Sequence, residues 1–170
     1  MHFRNALTID AAAIAAIHVN AWRIAYSDII PKSYLDTISL GKRKEMWESI
    51  LSESTKGTFV LSDDHGSITG WASFGASRDD DSDGTGEIYG IYIDPAWWGN
   101  GFGKKLMGIS ENELESRGFG SVTLWVLEKN NRARRFYETV AYKTDGALKT
   151  VEMADVKLVE LRYRKSLDLQ

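Results

Sequence analysis

Cysteine is absent from the 170-residue chain, and proline occurs only at Pro31 and Pro95. Without thiols there can be no disulfide framework, thiolate metal site, iron–sulfur cluster or cysteine nucleophile. Pro/Ser-rich linkers, low-complexity tracts and internal repeats are also missing, which predicts one domain over residues 1–170. No stretch approaches the roughly 20 apolar residues that cross a bilayer, and "MHFRNALTID" lacks an apolar run of signal-peptide length. The expectation is a cytoplasmic protein without a membrane partner. Histidine is sparse: His2, His18 and His65 stand alone, outside any HExxH or Cys/His spacing, and no Gly-x-Ser-x-Gly elbow occurs. Neither a metal centre nor a serine hydrolase is expected. A basic excess is lacking too, since the formal charge is -3 and the pI about 5.6. That argues against a nucleic-acid partner and leaves cationic small molecules as species the protein would attract.

What the chain does contain is apolar and aromatic residues in quantity, 43% hydrophobic with six tryptophans, seven tyrosines and six phenylalanines. A chain of this length buries roughly two thirds of its unfolded surface and builds an ordinary core. "HFRNAL" reads as a short strand, and Asp10 as the cap of a helix carrying Ile14, Ile17, Ala21, Trp22 and Ala25 at helical spacing. A second helical stretch lies in "KSYLDTISLGKRKEMWESILSE", with Met46, Trp47, Ile50 and Leu51 as its stripe and Gly41 as the expected interruption. The period then shortens. "TFVLSD", "SITGWASFGAS" and "GEIYGIYIDP" read as an antiparallel meander. "KKLMGISENELESRG" follows as a helix with Gly118 beyond its end, then "SVTLWVL" as a strand, "NRARRFYETVAY" as a helix and "DVKLVELRYRK" as a closing strand. The order predicts an α/β domain with a mixed sheet.

Between the meander and the next helix stands "PAWWGNGFGKKLM", with Gly99, Gly101 and Gly103 at every second position. Such a turn lets backbone amides approach an anion, and the following helix dipole favours negative charge. It is not a P-loop: Gly103-Lys104 is followed by Lys105, and no glycine stands five residues before Gly103. Nor does it supply the third glycine of a Gly-x-Gly-x-x-Gly fingerprint. On its own the turn is equally a tight connection that lets the helix pack closely.

The surrounding residues favour the anion. Glu87 to Tyr142 resembles the GCN5-related N-acetyltransferase (GNAT) family, whose Gln/Arg-x-x-Gly-x-Gly/Ala loop binds acetyl-coenzyme A after the fourth strand. Trp98-Gly99-Asn100-Gly101-Phe102-Gly103 fits this pattern with Trp98 in place of Gln or Arg. "NNRARRFYETVAY" resembles the family's later motif, matching at Asn130, Ala133, Phe136 and Tyr137, with Ala141 in place of glycine. The resemblance implies a GNAT-like domain: a mostly antiparallel central sheet of six to seven strands, about four helices, and splayed fourth and fifth strands.

It also implies acetyl transfer from acetyl-coenzyme A to a primary amine of a small molecule or peptide, by direct attack and without a metal. A noncatalytic acyl-coenzyme A binding module is the alternative. The coenzyme would be held by Gly99, Asn100, Gly101, Phe102, Gly103 and Lys104, by β-strand amides of Ile91, Tyr92 and Ile93, and by Asn130. Gly90 suits a bulge in that strand. Tyr137 would donate a proton to the leaving thiolate, and Glu87 would be the general base, directly or through water. Trp22, Tyr26 and Tyr34 fall in the segment that shapes the family's acceptor pocket, though core packing explains them equally. Trp98 is expected to pack against the loop or coenzyme and to add no charge. "RDDDSDG" either guides a cation or is a solvated loop. A homodimer is possible within the family.

Overall fold

The first helices arise where apolar residues recur every three to four positions, and the strands where β-branched and aromatic residues alternate. In the computed structural model, which describes residues 1–53 and 55–167, β1 (His2–Asn5) precedes α1 (Ala11–Ala25), α2 (Lys32–Thr37) and α3 (Leu40–Ser52). The meander is β2 (Gly57–Ser62), β3 (Ile68–Ala76) and β4 (Thr85–Ile93); α4 (Phe102–Ser116), β5 (Ser121–Leu127) and α5 (Asn131–Thr139) follow, and β6 (Lys143–Met153) and β7 (Val156–Ser166) close the chain. The seven strands form one sheet in the order β1-β2-β3-β4-β5-β7-β6. Only β4 and β5 run parallel; every other neighbour is antiparallel.

Three details depart from the sequence reading. Asp10 precedes α1, but its carboxylate accepts from the Leu7 amide at 2.8 Å and pairs with Arg4, so it braces the short 3-10 turn before the helix. The second helical stretch breaks at Ile38-Ser39, where the Ser39 hydroxyl accepts from the Lys42 amide and restarts the helix; Gly41 lies inside α3. Residues 143–153, unassigned by pattern, form the edge strand β6.

The two faces of the sheet bury different cores. On one face Ala11, Ile14, Ala15 and Ile17 of α1 and Trp47 of α3 pack on Val60 and Trp71, and beside them Ile30 and Leu35 pack on Leu127 and Leu158. On the other, Met107 and Leu114 of α4 and Tyr137 of α5 pack on Phe74, Ile88, Val122, Leu124 and Tyr163. Strand alternation therefore sends Leu124 and Val126 to one face and Trp125 and Leu127 to the other.

The aspartate-rich connection between β3 and β4 is neither free nor simply solvated. Arg162 of β7 pairs with Asp79 and Asp81 of that connection and with Asp145 of β6, and the indole N–H of Trp125 donates to Asp79. The bonds to Asp81, ahead of the opposing cost of burial, hold the Arg162 guanidinium above its usual pKa. This network straps the loop onto three strands.

Gly118, at φ 89°, ends α4 as its spacing predicts. At the equivalent turn after α5 the chain has Ala141 at φ 71°, a left-handed conformation that costs a residue with a Cβ about 1–2 kcal/mol. The amides of Ala141 and Tyr142 still close onto Glu138 and Tyr137, so the capping turn forms without glycine.

Candidate active site

The site begins where the parallel pair comes apart. β4 and β5 are joined only between Thr85–Glu87 and Ser121–Thr123, while both strands run on to Ile93 and Leu127. A bulge starts the divergence: Ser73 pairs with Gly90 and Phe74 with Ile88, leaving Tyr89 as the extra residue. Beyond it, the β4 edge towards β5 has no strand partner among the described residues, so apart from the Ile93 carbonyl, which the Trp98 indole takes, its backbone groups are open to a ligand.

A cavity of about 520 Å³ fills the gap, with walls from both faces of the sheet. At one end the wall is the glycine turn. Gly99 and Gly101 hold φ of 81° and 75°, and Gly101 is the residue from which α4 starts. The first amides of a helix have no intrahelical acceptor, and here they belong to Phe102, Gly103 and Lys104, all of which line the cavity. At Gly103 a Cβ would stand 3.3 Å from the Phe136 ring of α5, so a residue with a side chain here would have to push that ring back by a few tenths of an ångström. Asn100, expected to hold the coenzyme, is not on the described wall; its carboxamide donates to the carbonyls of Trp97 and Trp98 and braces the turn.

Trp98 lies in the cavity wall, its indole N–H donating to the Ile93 carbonyl at 2.7 Å. Its ring carries the guanidinium of Arg132, 3.2 Å from the centroid. Positive charge therefore returns at this position from α5, held by an aromatic face. Burial lowers the Arg132 pKa, yet a guanidinium stays charged. Arg132 and Lys104 are the two cationic residues of the described wall.

The middle of the cavity carries Tyr137 and Asn130. The Asn130 side chain accepts from the Ala133 amide at 3.1 Å and caps α5, which fixes the turn that aims the helix. Tyr137, 9% exposed, reaches the cavity wall, and among the described residues no protein group bonds its hydroxyl. Burial, with a smaller push from Tyr92, raises its pKa well above that of a free phenol.

The far end is aromatic. The Trp22 indole N–H donates to the Tyr92 hydroxyl at 2.9 Å, and the Tyr26 and Tyr92 hydroxyls lie 3.4 Å apart. Burial raises the pKa of both phenols, and the charge of Glu160 adds a small push in the same direction. Behind them His18 is enclosed by Trp22, Trp47, Trp71 and Tyr92.

Of the residues named from sequence, Ile91, Tyr92, Ile93, Gly99, Gly101, Phe102, Gly103, Lys104, Asn130, Tyr137, Trp22 and Tyr26 come together on this wall. Tyr34 does not; it lies on α2, half-buried against the cluster of Ile30 and Leu35. Glu87, expected as the base, lies apart from these residues. It is 1% exposed, lies off the described cavity wall, and both carboxylate oxygens are taken by the guanidinium and amide of Arg78. Sequence reasoning passed over Arg132, two residues after Asn130, whose place on Trp98 depends on a contact between α5 and the glycine turn. It also passed over Trp125, Met153 and Glu160, which reach the wall only through the β5-β7-β6 register.

Among the described residues no group of three or more His, Asp or Glu side chains is placed to hold a metal ion, and no helix is long and apolar enough to cross a membrane.

Comparison with known proteins places this arrangement. An uncharacterized N-acetyltransferase of Bacillus subtilis, YuaI, is 35% identical over 159 residues, covering 93% of this chain and 88% of that protein. Among solved structures, the PaiA N-acetyltransferase of Thermoplasma acidophilum in complex with coenzyme A superposes with a TM-score of 0.79 at 16% identity, covering 98% of both chains. The yncA protein of Salmonella typhimurium, solved with its cofactor acetyl-CoA, gives 0.72 at 24% identity, covering 99% of this chain and 94% of that one. The model of the acetyltransferase (GNAT) family matches residues 20–142, the span that holds the splayed strands, the glycine turn and α5. The chain belongs to the acetyltransferase (GNAT) family.

Proposed function

We propose that the protein is an acetyl-CoA-dependent N-acetyltransferase that acetylates a primary amine of a small molecule or peptide by direct attack within a ternary complex. The observation that carries this reading is the continuity of the cavity, which runs from a cationic glycine turn past a buried tyrosine to an aromatic chamber across the splayed strands. The residues fit the coenzyme: helix-start amides and two cations suit phosphates, and the unpaired β4 edge suits an amide-bearing arm. Bound there, acetyl-coenzyme A would supply an activated acyl group on sulfur. In the transfer, the nitrogen of the neutral amine bonds to the acyl carbon as the carbon–sulfur bond breaks; the nitrogen's proton leaves to water, and the sulfur takes one from Tyr137, which water reprotonates.

The chain divides that work among its residues. Amides on the free edge of β4 beside Ile91, Tyr92 and Ile93 bond the acyl oxygen, where negative charge develops. Tyr137 holds its proton at the phenolic oxygen for the departing sulfur. Aromatic walls at Trp22, Tyr26 and Tyr92 exclude water from the reacting nitrogen. An acyl relay through cysteine is impossible in a chain without cysteine, which favours direct transfer.

Release of coenzyme A measured over a panel of amines tests the proposal. Acceptor-dependent release is expected; tight acetyl-CoA binding with no such release for any amine would identify a noncatalytic binding module instead. The stacked guanidinium gives a second measurement. Arg132→Ala is expected to raise the KM for acetyl-CoA roughly tenfold with kcat little changed, equivalent to about 1.4 kcal/mol of lost binding. Arg132→Lys, which keeps charge but not the planar stack on Trp98, should fall between. An unchanged KM in Arg132→Ala would remove Arg132 from the phosphate end.

A further inference from the structure

The carboxylates near the cavity differ in what already occupies them. Arg78 takes both oxygens of Glu87, and Arg162 holds Asp79, Asp81 and Asp145. Glu160 is different. It is the one carboxylate on the described cavity wall, and its partner is Lys149, whose Nζ lies 3.1 Å away on a side chain that is 40% exposed. Lys149 stands directly across the β6-β7 ladder from Glu160, and its ammonium also lies 4.1 Å from the centre of the Trp125 ring. Trp125 is itself part of the wall.

A primary ammonium at the end of a methylene chain, on a lysine that itself lies off the described wall, is thus already bound by a carboxylate and an aromatic ring that belong to the wall. These are the two elements that recognise an alkylammonium, one by charge and one by its ring quadrupole. Their surroundings suit the rest of such a molecule: Tyr26, Ile30, Leu127 and Met153 give the same region a mostly apolar wall for a methylene chain. The polarity along the cavity agrees, with Lys104 and Arg132 at the phosphate end and Glu160 at the other.

We propose that Glu160 and Trp125 form the seat for an ammonium group that a linear alkylamine acceptor carries in addition to its reacting nitrogen, and that Lys149 occupies this seat until the acceptor displaces it. The proposal names the acceptor class for the acetyl transfer above and rests on that reading. Displacement is feasible because a half-exposed ion pair is weak, and a freed Lys149 regains its hydration on the open edge strand. The acceptor must therefore bring a cation to replace the one it expels; a neutral isostere would leave Glu160 unpaired.

The test uses the full chain saturated with coenzyme A, so that no turnover occurs, titrated with n-hexylamine and separately with 1-hexanol. Hexylammonium is expected to bind at least tenfold more tightly than the alcohol. Glu160→Gln should weaken hexylammonium binding about tenfold with coenzyme A affinity unchanged. Lys149→Met keeps the apolar stem and removes the competing charge, so it should tighten hexylammonium binding several-fold, a gain that a purely structural Lys149–Glu160 pair would not produce. Equal affinity for amine and alcohol, an unaltered amine affinity in Glu160→Gln, or weaker amine binding in Lys149→Met would each overturn the proposal. Because these are binding measurements, a failure of acetyl transfer appears separately, as absence of coenzyme A release alongside intact hexylammonium binding.

Discussion

Tyr137→Phe is expected to lower kcat for amine acetylation by about 10²-fold while the KM for acetyl-CoA stays within twofold. The ring is what packs: Tyr137 contacts Tyr142, Tyr163 and Phe136 as an aromatic body, and phenylalanine preserves all of that. Only the hydroxyl is lost, and no described protein group depends on it, so the fold and the coenzyme seat should survive. The raised pKa sharpens the expected role. Against a free thiol near 8.5, a phenol well above 10 is the weaker acid, and complete proton transfer in water would run uphill. The same burial disfavours the thiolate, however, so both proton affinities rise together and the phenol stabilises the sulfur as charge develops on it. A phenol held this high stays protonated throughout neutral and mildly alkaline conditions. The wild-type kcat should therefore show no limb from Tyr137 between about pH 6 and 9. Steady-state kinetics on both proteins with one amine decide the matter; an unchanged kcat would assign Tyr137 to packing alone.

Much of this site could be read from the chain because its recognition is local. Gly99, Gly101 and Gly103 mark a tight turn that the neighbouring motif turns into a candidate cradle, and Ala133, Phe136 and Tyr137 fall on one helix, capped by Asn130, whose periodicity puts them on one face. The meander and the two flanking helices follow from apolar spacing for the same reason. Even the bulge at Tyr89 has a local signal in Gly90, where a Cβ would meet the Trp71 ring at 3.3 Å.

What escaped the sequence is carried by distant pairings. Glu87 has the chemistry of a base until the β3-β4 connection folds back and puts Arg78 across it. Asp79 and Arg162 are 83 residues apart along the chain yet share a bond of 3.1 Å, so an apparently solvated acidic run becomes a strap. β6 was hidden because its residues are mostly exposed, with Asp145 and Gly146 interrupting the pattern; its strand character comes from pairing with β7. Glu160 reads as one charge among several in "VELRYRK", and only the register Leu127↔Glu160 places it on the wall. Trp98, in place of the family's Gln or Arg, reads as a position without charge, whereas its indole is the platform for Arg132.

Lowering the pH from 7 to 5 is expected to destabilise the protein by about 2 kcal/mol through His18 alone. His18 is 8% exposed, accepts the Trp47 indole N–H on Nδ1 at 3.2 Å, and is surrounded by four aromatic rings. Burial first, and the charge of Arg43 second, push its pKa down to about 3 from 6.5. Since the folded value lies below the unfolded one, the unfolded chain binds a proton that the native state refuses. Stability from this group is therefore intact above pH 6.5 and declines as the pH falls towards 3, at about 1.4 kcal/mol per unit through the middle of that window. For a chain of this size the loss at pH 5 corresponds to a fall in Tm of roughly 4–8 °C. Urea unfolding of the wild type and of His18→Gln at the two pH values isolates the contribution. Gln retains a hydrogen-bond acceptor for Trp47 without a titrating ring, so its stability should fall by about 2 kcal/mol less over the same interval, even if it starts lower at pH 7. Equal pH slopes in the two proteins would mean that His18 takes up its proton without unfolding. The aromatic wall behind Trp22 and Tyr92 would then open to water in mild acid, and the acceptor end of the cavity with it.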